Sequence, residues 1–133
     1  MNLKSVLGVA AALALALLAG WLWGRSGTAS AALERRVFEE RADLAEARAD
    51  VLDARLSLIA LNFGDAAKSL DEARRILADV QVRYRETGQP ERAGRVEIVL
   101  SHVRDAGQMA VALDRGADAA AAQAVQALAA VQK

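Results

Sequence analysis

The chain contains no cysteine, which excludes disulfides, thiolate catalysis and cysteine-ligated zinc. Its single histidine, His102, means that no two-histidine zinc or haem site can be made within one chain. With one proline, Pro90, long stretches hold nothing that breaks a helix. Aromatic residues are 4% of the total, and beyond Trp23 only Phe38, Phe63 and Tyr84 remain. Leu, Ile and Val must therefore build the core, and that core is thin. Lys plus Arg balances Asp plus Glu, 17 against 17, with no block of like charge. The basic footprint of a nucleic-acid binder is missing, so nucleic acid is not an expected partner. No phosphate-binding glycine loop and no GxGxxG occur, and none of the residues implies a cofactor.

What the chain does have is apolar residues, 54% of the total. The run Val6–Trp23 carries no charge over eighteen residues. As a helix it measures about 27 Å, against roughly 30 Å of bilayer hydrocarbon. Trp21 and Trp23 fall at its far end, where indole rings favour the water interface. Val6, Leu13, Leu17, Trp21 and Trp23 are thus the expected span residues, and membrane lipid an expected partner. A cleavable signal is the competing reading, with Lys4 in its n-region and Ala29-Ser30-Ala31 as its cleavage pattern. The length of the run and its bulky Trp-Leu-Trp end favour a retained anchor. Gly8, Ala12, Ala16 and Gly20 are spaced by four, a small-residue ridge on which two helices can approach closely. The flanking positive charges nearly tie, and the short N-terminal tail then favours a bacterial inner-membrane span with a periplasmic domain.

The expected order is a tail over 1–5, a span over 6–23, a flexible link over 24–32 and a helical domain over 33–133. Val37, Leu44, Val51 and Leu58 lie seven apart, and Leu33, Ala47, Ala54 and Leu61 fill the positions between; Glu40 is the one violation. Phe38, Ala45, Leu52 and Ile59 form a second seven-spaced row, expected to widen the face that packs into a bundle. At "ALNFGDAA", Gly64 is expected to take the left-handed cap and Asp65 to open the next helix. That helix carries Ala66, Leu70, Ala73, Leu77, Val80 and Tyr84 at steps of four and three. "TGQPER" supplies a glycine stop and a proline start, and Val96, Val99, Val103, Ala106, Ala110 and Leu113 repeat the steps. Asp114-Arg115-Gly116 ends the third helix, and Asp118 caps an alanine-rich fourth. Val125, Leu128 and Val131 are its only large anchors, so it either packs very closely or docks loosely. The fold class is all-α: one N-terminal transmembrane helix, then a long amphipathic helix and antiparallel hairpins in a four-helix bundle.

"ALNFGDAA" at Ala60 and "ALDRGADAA" at Ala112 echo each other 52 residues apart. Over Ser57–Val80, "LIALNFGDAAKSLDEARRIL" resembles a tetratricopeptide-type helical hairpin, as Val111–Gln132 does more weakly. The interval exceeds the family's repeat of about 34 residues, and Ser69 stands where a smaller residue is expected. The resemblance implies a protein-binding groove, although no groove residue carries over. Arg41, Arg48 and Arg55 form a seven-spaced basic row beside the apolar face, their stems covering the core edge or their heads meeting a partner. His102 with Asp105 lacks a nucleophile or a metal set. The expectation is a non-enzymatic, single-span scaffold or adaptor that binds other proteins, with a second copy of the chain as one candidate partner. The alternatives are a structural subunit or assembly factor of a membrane complex, and a cleaved periplasmic chaperone or sensor.

Overall fold

The computed structural model describes the backbone of residues 3–132 and the side chains of residues 16, 17, 20, 21 and 31–132. Among the described residues four helices run in chain order: α1 (Leu3–Ile59), α2 (Phe63–Glu86), α3 (Pro90–Val111) and α4 (Ala117–Val131). The chain divides into two units, Met1–Phe38 and Glu39–Lys133.

The N-terminal part corrects the sequence expectation. Among the described residues no helix is long and apolar enough to cross a membrane, which contradicts the expected transmembrane helix. From residue 31 onward α1 carries a charge every few positions, which rules out such a span there. Of the run Val6–Trp23, the side chains of Ala16, Leu17, Gly20 and Trp21 are described. Those of Val6, Gly8, Ala12, Leu13 and Trp23 lie outside the described residues. Residues 24–32, expected as a flexible link, have helical backbone inside α1. Gly24 and Gly27 each cost about 1 kcal/mol relative to alanine there, but with no proline nothing stops propagation through Ala29, Ala31 and Ala32.

In the unit Glu39–Lys133 the helices alternate in direction, joined by three short turns that share one hydrogen-bond pattern. Leu61 N–H donates to the Leu58 carbonyl (3.0 Å) and Asn62 N–H to that of Ser57 (2.8 Å). Gly88 and Gln89 repeat this on Arg85 (3.2 Å) and Tyr84 (2.8 Å), and Leu113 and Asp114 on Ala110 (3.0 Å) and Met109 (2.8 Å). This paired closure needs a left-handed residue just past the helix end. Leu61 (φ 59°), Gly88 (φ 71°) and Leu113 (φ 56°) fill that place. Gly88 and Pro90 act as the sequence suggested, with Pro90 opening α3. Gly64 and Asp65 do not: both lie in the first turn of α2, and Asn62 is the N-cap, its side chain accepting from Asp65 N–H. Likewise Gly116, not Asp118, caps α4.

The core is a set of three-and-four-spaced seams: Leu44, Ala47, Val51, Ala54 and Leu58 from α1, and Leu70, Leu77, Val80 and Tyr84 from α2. From α3 come Val96, Val99, Leu100 and Val103. Ala117, Ala121, Ala124, Leu128 and Val131 bury one face of α4. Fully buried alanines let backbones approach towards the short end of the usual 8–10 Å interaxial range, so α4 is closely packed, not loosely docked. Two expected core rows are corrected. Leu33 and Val37 are exposed, and the seam begins at Leu44. Ala45, Leu52 and Ile59 are exposed as well, as is Phe38, so the second row of α1 faces solvent and does not widen the core face.

Candidate functional site

The turns after α1 and after α3 come together at one end of the bundle. Leu58, Ile59, Leu61 and Phe63 from the first, with Arg115 and Asp118 from the second, line one open depression of 360 Å³. Of its lining, Ile59 and Leu61 stand out into solvent, each more than half exposed, as do Val111 and Leu113 just before Arg115 in sequence. Leu61 and Leu113 do so in a conformation that costs an L-residue about 1–2 kcal/mol. Glycine would relieve that cost, and it is the residue at the equivalent place of the α2–α3 turn. Strained, exposed and apolar residues at equivalent places of two turns are characteristic of recognition surfaces.

One ion pair fixes the rim. Arg55 of α1 donates through Nε to Asp118 Oδ1 at 2.8 Å, and that hydrogen bond holds its guanidinium above the usual arginine pKa. Arg115 is exposed and makes no ion pair among the described residues. The depression therefore has an apolar floor and a rim with one uncompensated cation. It can hold an apolar side chain next to a carboxylate.

The opposite end is polar and closed. Glu40 accepts from Tyr84 Oη and from Arg92 Nη1, both at 2.7 Å, and Arg92 lies over the Tyr84 ring, 5.4 Å from its centroid. Burial first, and then the bond to Glu40, push the Tyr84 hydroxyl well above its ordinary pKa. Arg83 pairs with Asp43 beside it, and buried Gln81 donates to Glu97 and to the Ala93 carbonyl. Among the described residues no buried side-chain nitrogen or oxygen lacks a partner, so the buried polar groups at this end serve to hold the helices together. It also explains the heptad violation: Glu40 holds α1 to α2 and α3 where an apolar residue could not.

The chain matches no family model, no characterised protein and no solved structure.

Of the residues singled out from sequence, Arg55 is taken up by Asp118. Arg41 is exposed and Arg48 half-buried, and neither makes an ion pair among the described residues. Leu17 and Trp21 are exposed, as are Ala16 and Gly20, and a Cβ added at Gly20 would meet nothing within 4 Å. His102 is half-buried and Asp105 exposed. No cluster of three or more His, Asp or Glu suited to a metal occurs among the described residues. Sequence reasoning missed Arg115 and placed Leu61 and Leu113 in apolar core rows, whereas both are exposed in the turns. The signal was in the echo of the two turns, where Ala-Leu-Asn and Ala-Leu-Asp align the two leucines 52 residues apart.

Proposed function

We propose that this chain is a helical scaffold or adaptor that works by binding another protein at the turn end of its bundle. The observation that carries the reading is the pair Leu61 and Leu113, held left-handed and exposed at equivalent places of the two turns that supply one depression. A sequence under selection for stability alone would place glycine or asparagine there; leucine at both places supplies contact area instead. The tetratricopeptide-like resemblance of Ser57–Val80 supports the same class of role. The Arg115 rim suits a partner segment that offers an apolar side chain followed by a carboxylate.

The test is site-specific photocrosslinking in cells from positions 61 and 113, with exposed Gln126 on α4 as the control. Protein adducts from 61 and 113, and none from 126, are the expected result. A constant stoichiometric adduct marks a structural subunit or assembly factor, and several transient ones mark an adaptor. Equal labelling from all three positions, or none from 61 and 113, defeats the proposal.

A further inference from the structure

Helix α1 has a second apolar seam that its own bundle does not use. Ala42, Ala45, Ala49, Leu52, Leu56 and Ile59 follow one another at steps of three and four, and all six are exposed. The three large ones are 40%, 66% and 68% exposed. At 3.6 residues per turn this seam points about 150° away from the core seam of Leu44, Ala47, Val51, Ala54 and Leu58. By sequence the spacing continues to Phe38.

Charges line the seam in an ordered way. Immediately before its first, third and fifth members stand Arg41, Arg48 and Arg55. Immediately after its second and fourth stand Glu46 and Asp53, with Glu39 one heptad earlier. One side is thus wholly basic and the other wholly acidic, at the two positions that flank a coiled-coil interface. Arg41, Arg48, Glu46 and Asp53 form no ion pair or hydrogen bond among the described residues, while Arg55 is paired to Asp118.

We infer that a second copy of this chain docks along this face of α1, parallel and in register, over Ala42–Ile59. In a parallel pair, each residue preceding the seam meets the residue five positions later on the other helix. Arg41 then meets Glu46 of the second copy and Arg48 meets Asp53, twice over by symmetry. Arg55 would meet Ala60, which has no charge to offer, and it is the arginine already paired inside the chain. An antiparallel arrangement places arginine row against arginine row and acid row against acid row, which repels. One heptad towards the N-terminus Glu34 would face Glu39, so favourable pairing ends at Arg41. The three alanines let the helices approach closely, and Leu52, Leu56 and Ile59 give the contact its bulk. Apart from Ile59, this surface is distinct from the turn-end depression.

The test uses the full, naturally cysteine-free chain. Sedimentation velocity from micromolar to near-millimolar concentration is expected to show a monomer–dimer equilibrium. Arg41→Glu with Arg48→Glu should give a monomer throughout, and adding Glu46→Arg and Asp53→Arg should restore the dimer. Circular dichroism checks that each variant folds, and none of the four residues makes a bond that folding requires. Orientation is read from Ala42→Cys, which should oxidise to a covalent dimer alone, whereas antiparallel copies would cross-link only as a mixture of Ala42→Cys with Ile59→Cys. A chain that stays monomeric at the highest concentration overturns the inference. So does a dimer that survives the double charge reversal, or one that cross-links only in the mixture. Photocrosslinks to a different protein at 61 and 113 remain readable on the Arg41/Arg48 variant, so this inference and the proposed function fail separately.

Discussion

Three helix ends share one geometry but not one residue, and this permits a sign test. At Leu61, Gly88 and Leu113 the backbone is left-handed. There an L-side chain costs about 1–2 kcal/mol, while glycine's extra freedom in the unfolded chain costs about 0.5–1 kcal/mol. Glycine should therefore be more stable than alanine by about 0.5–1 kcal/mol at all three positions. Comparing alanine with glycine, rather than with leucine, removes the partial burial of the leucine side chains from the difference. At exposed Gln126, inside α4, the sign should reverse, with alanine ahead by about 1 kcal/mol. In a domain of this size such differences shift Tm by about 2–8 °C, within reach of calorimetry and of urea titration. The set is Leu61→Ala and →Gly, Leu113→Ala and →Gly, Gly88→Ala and Gln126→Ala and →Gly. If alanine equals or exceeds glycine at 61 or 113, those residues are not strained and the argument for a recognition surface loses its basis. If glycine leads there and the glycine variants also lose their photocrosslinks, stability and binding are opposed at the same two residues.

Glu40→Leu, which would perfect the heptad pattern, should destabilise by about 1–2 kcal/mol, because Arg92 and the Tyr84 hydroxyl lose their acceptor; a urea midpoint at or above wild type would contradict this. Ala121→Leu on the closely packed face of α4 should cost about 1–3 kcal/mol by overpacking, and Leu128→Ala about 2–5 kcal/mol by leaving a cavity. Leucine at exposed Ala119 should be near neutral, and equal effects at 119 and 121 would mean that α4 is not docked as described. Burial, and then Glu72, Glu46 and Asp53, raise the Asp50 carboxyl above its ordinary 3.8. Its folded pKa exceeds its unfolded one, so ionised Asp50 lowers stability at neutral pH and the penalty vanishes as pH falls below 3.8. Asp50→Asn should therefore be more stable than wild type at pH 7, with the gain gone at pH 3; a gain independent of pH would assign the effect to something other than charge.

Helix positions were legible wherever one apolar seam met one neighbour. Leu70, Leu77, Val80 and Tyr84 are buried as their spacing required, and so are Val96, Val99 and Val103. Periodicity failed where a helix carries two seams, because spacing tells which residues share a face but not what covers it. Leu52 and Ile59 are as well spaced as Val51 and Leu58, and only the fold separates the pairs. The turn after α1 was misplaced for a related reason. Glycine is the cheapest left-handed residue, so Gly64 drew the assignment; yet ending α1 at Ile59 lets Phe63 pack against the core, and the turn then falls on Leu61. Glu40 read as a defect because its two partners lie 44 and 52 residues away.

The two errors point in one direction. A chain with few aromatics and an alanine-lined core has little apolar bulk to spare, and such a chain gains by burying every large side chain it can. This one leaves Leu52, Leu56 and Ile59 on one line and Leu61, Val111 and Leu113 exposed at the turn end of the bundle. Random surface leucines would be scattered and would sit among charges of either sign. These are aligned, and the charges beside the line are sorted by sign so that an identical, parallel helix satisfies them. Stability within the single chain explains neither the sorting nor the left-handed leucines. The contacts proposed with other chains would account for both, and they require no residue to serve two masters except Ile59, where the two surfaces meet. Substitution at Ile59 should accordingly weaken self-association and partner crosslinking together, whereas Arg48→Glu should touch only the first and Leu113→Gly only the second.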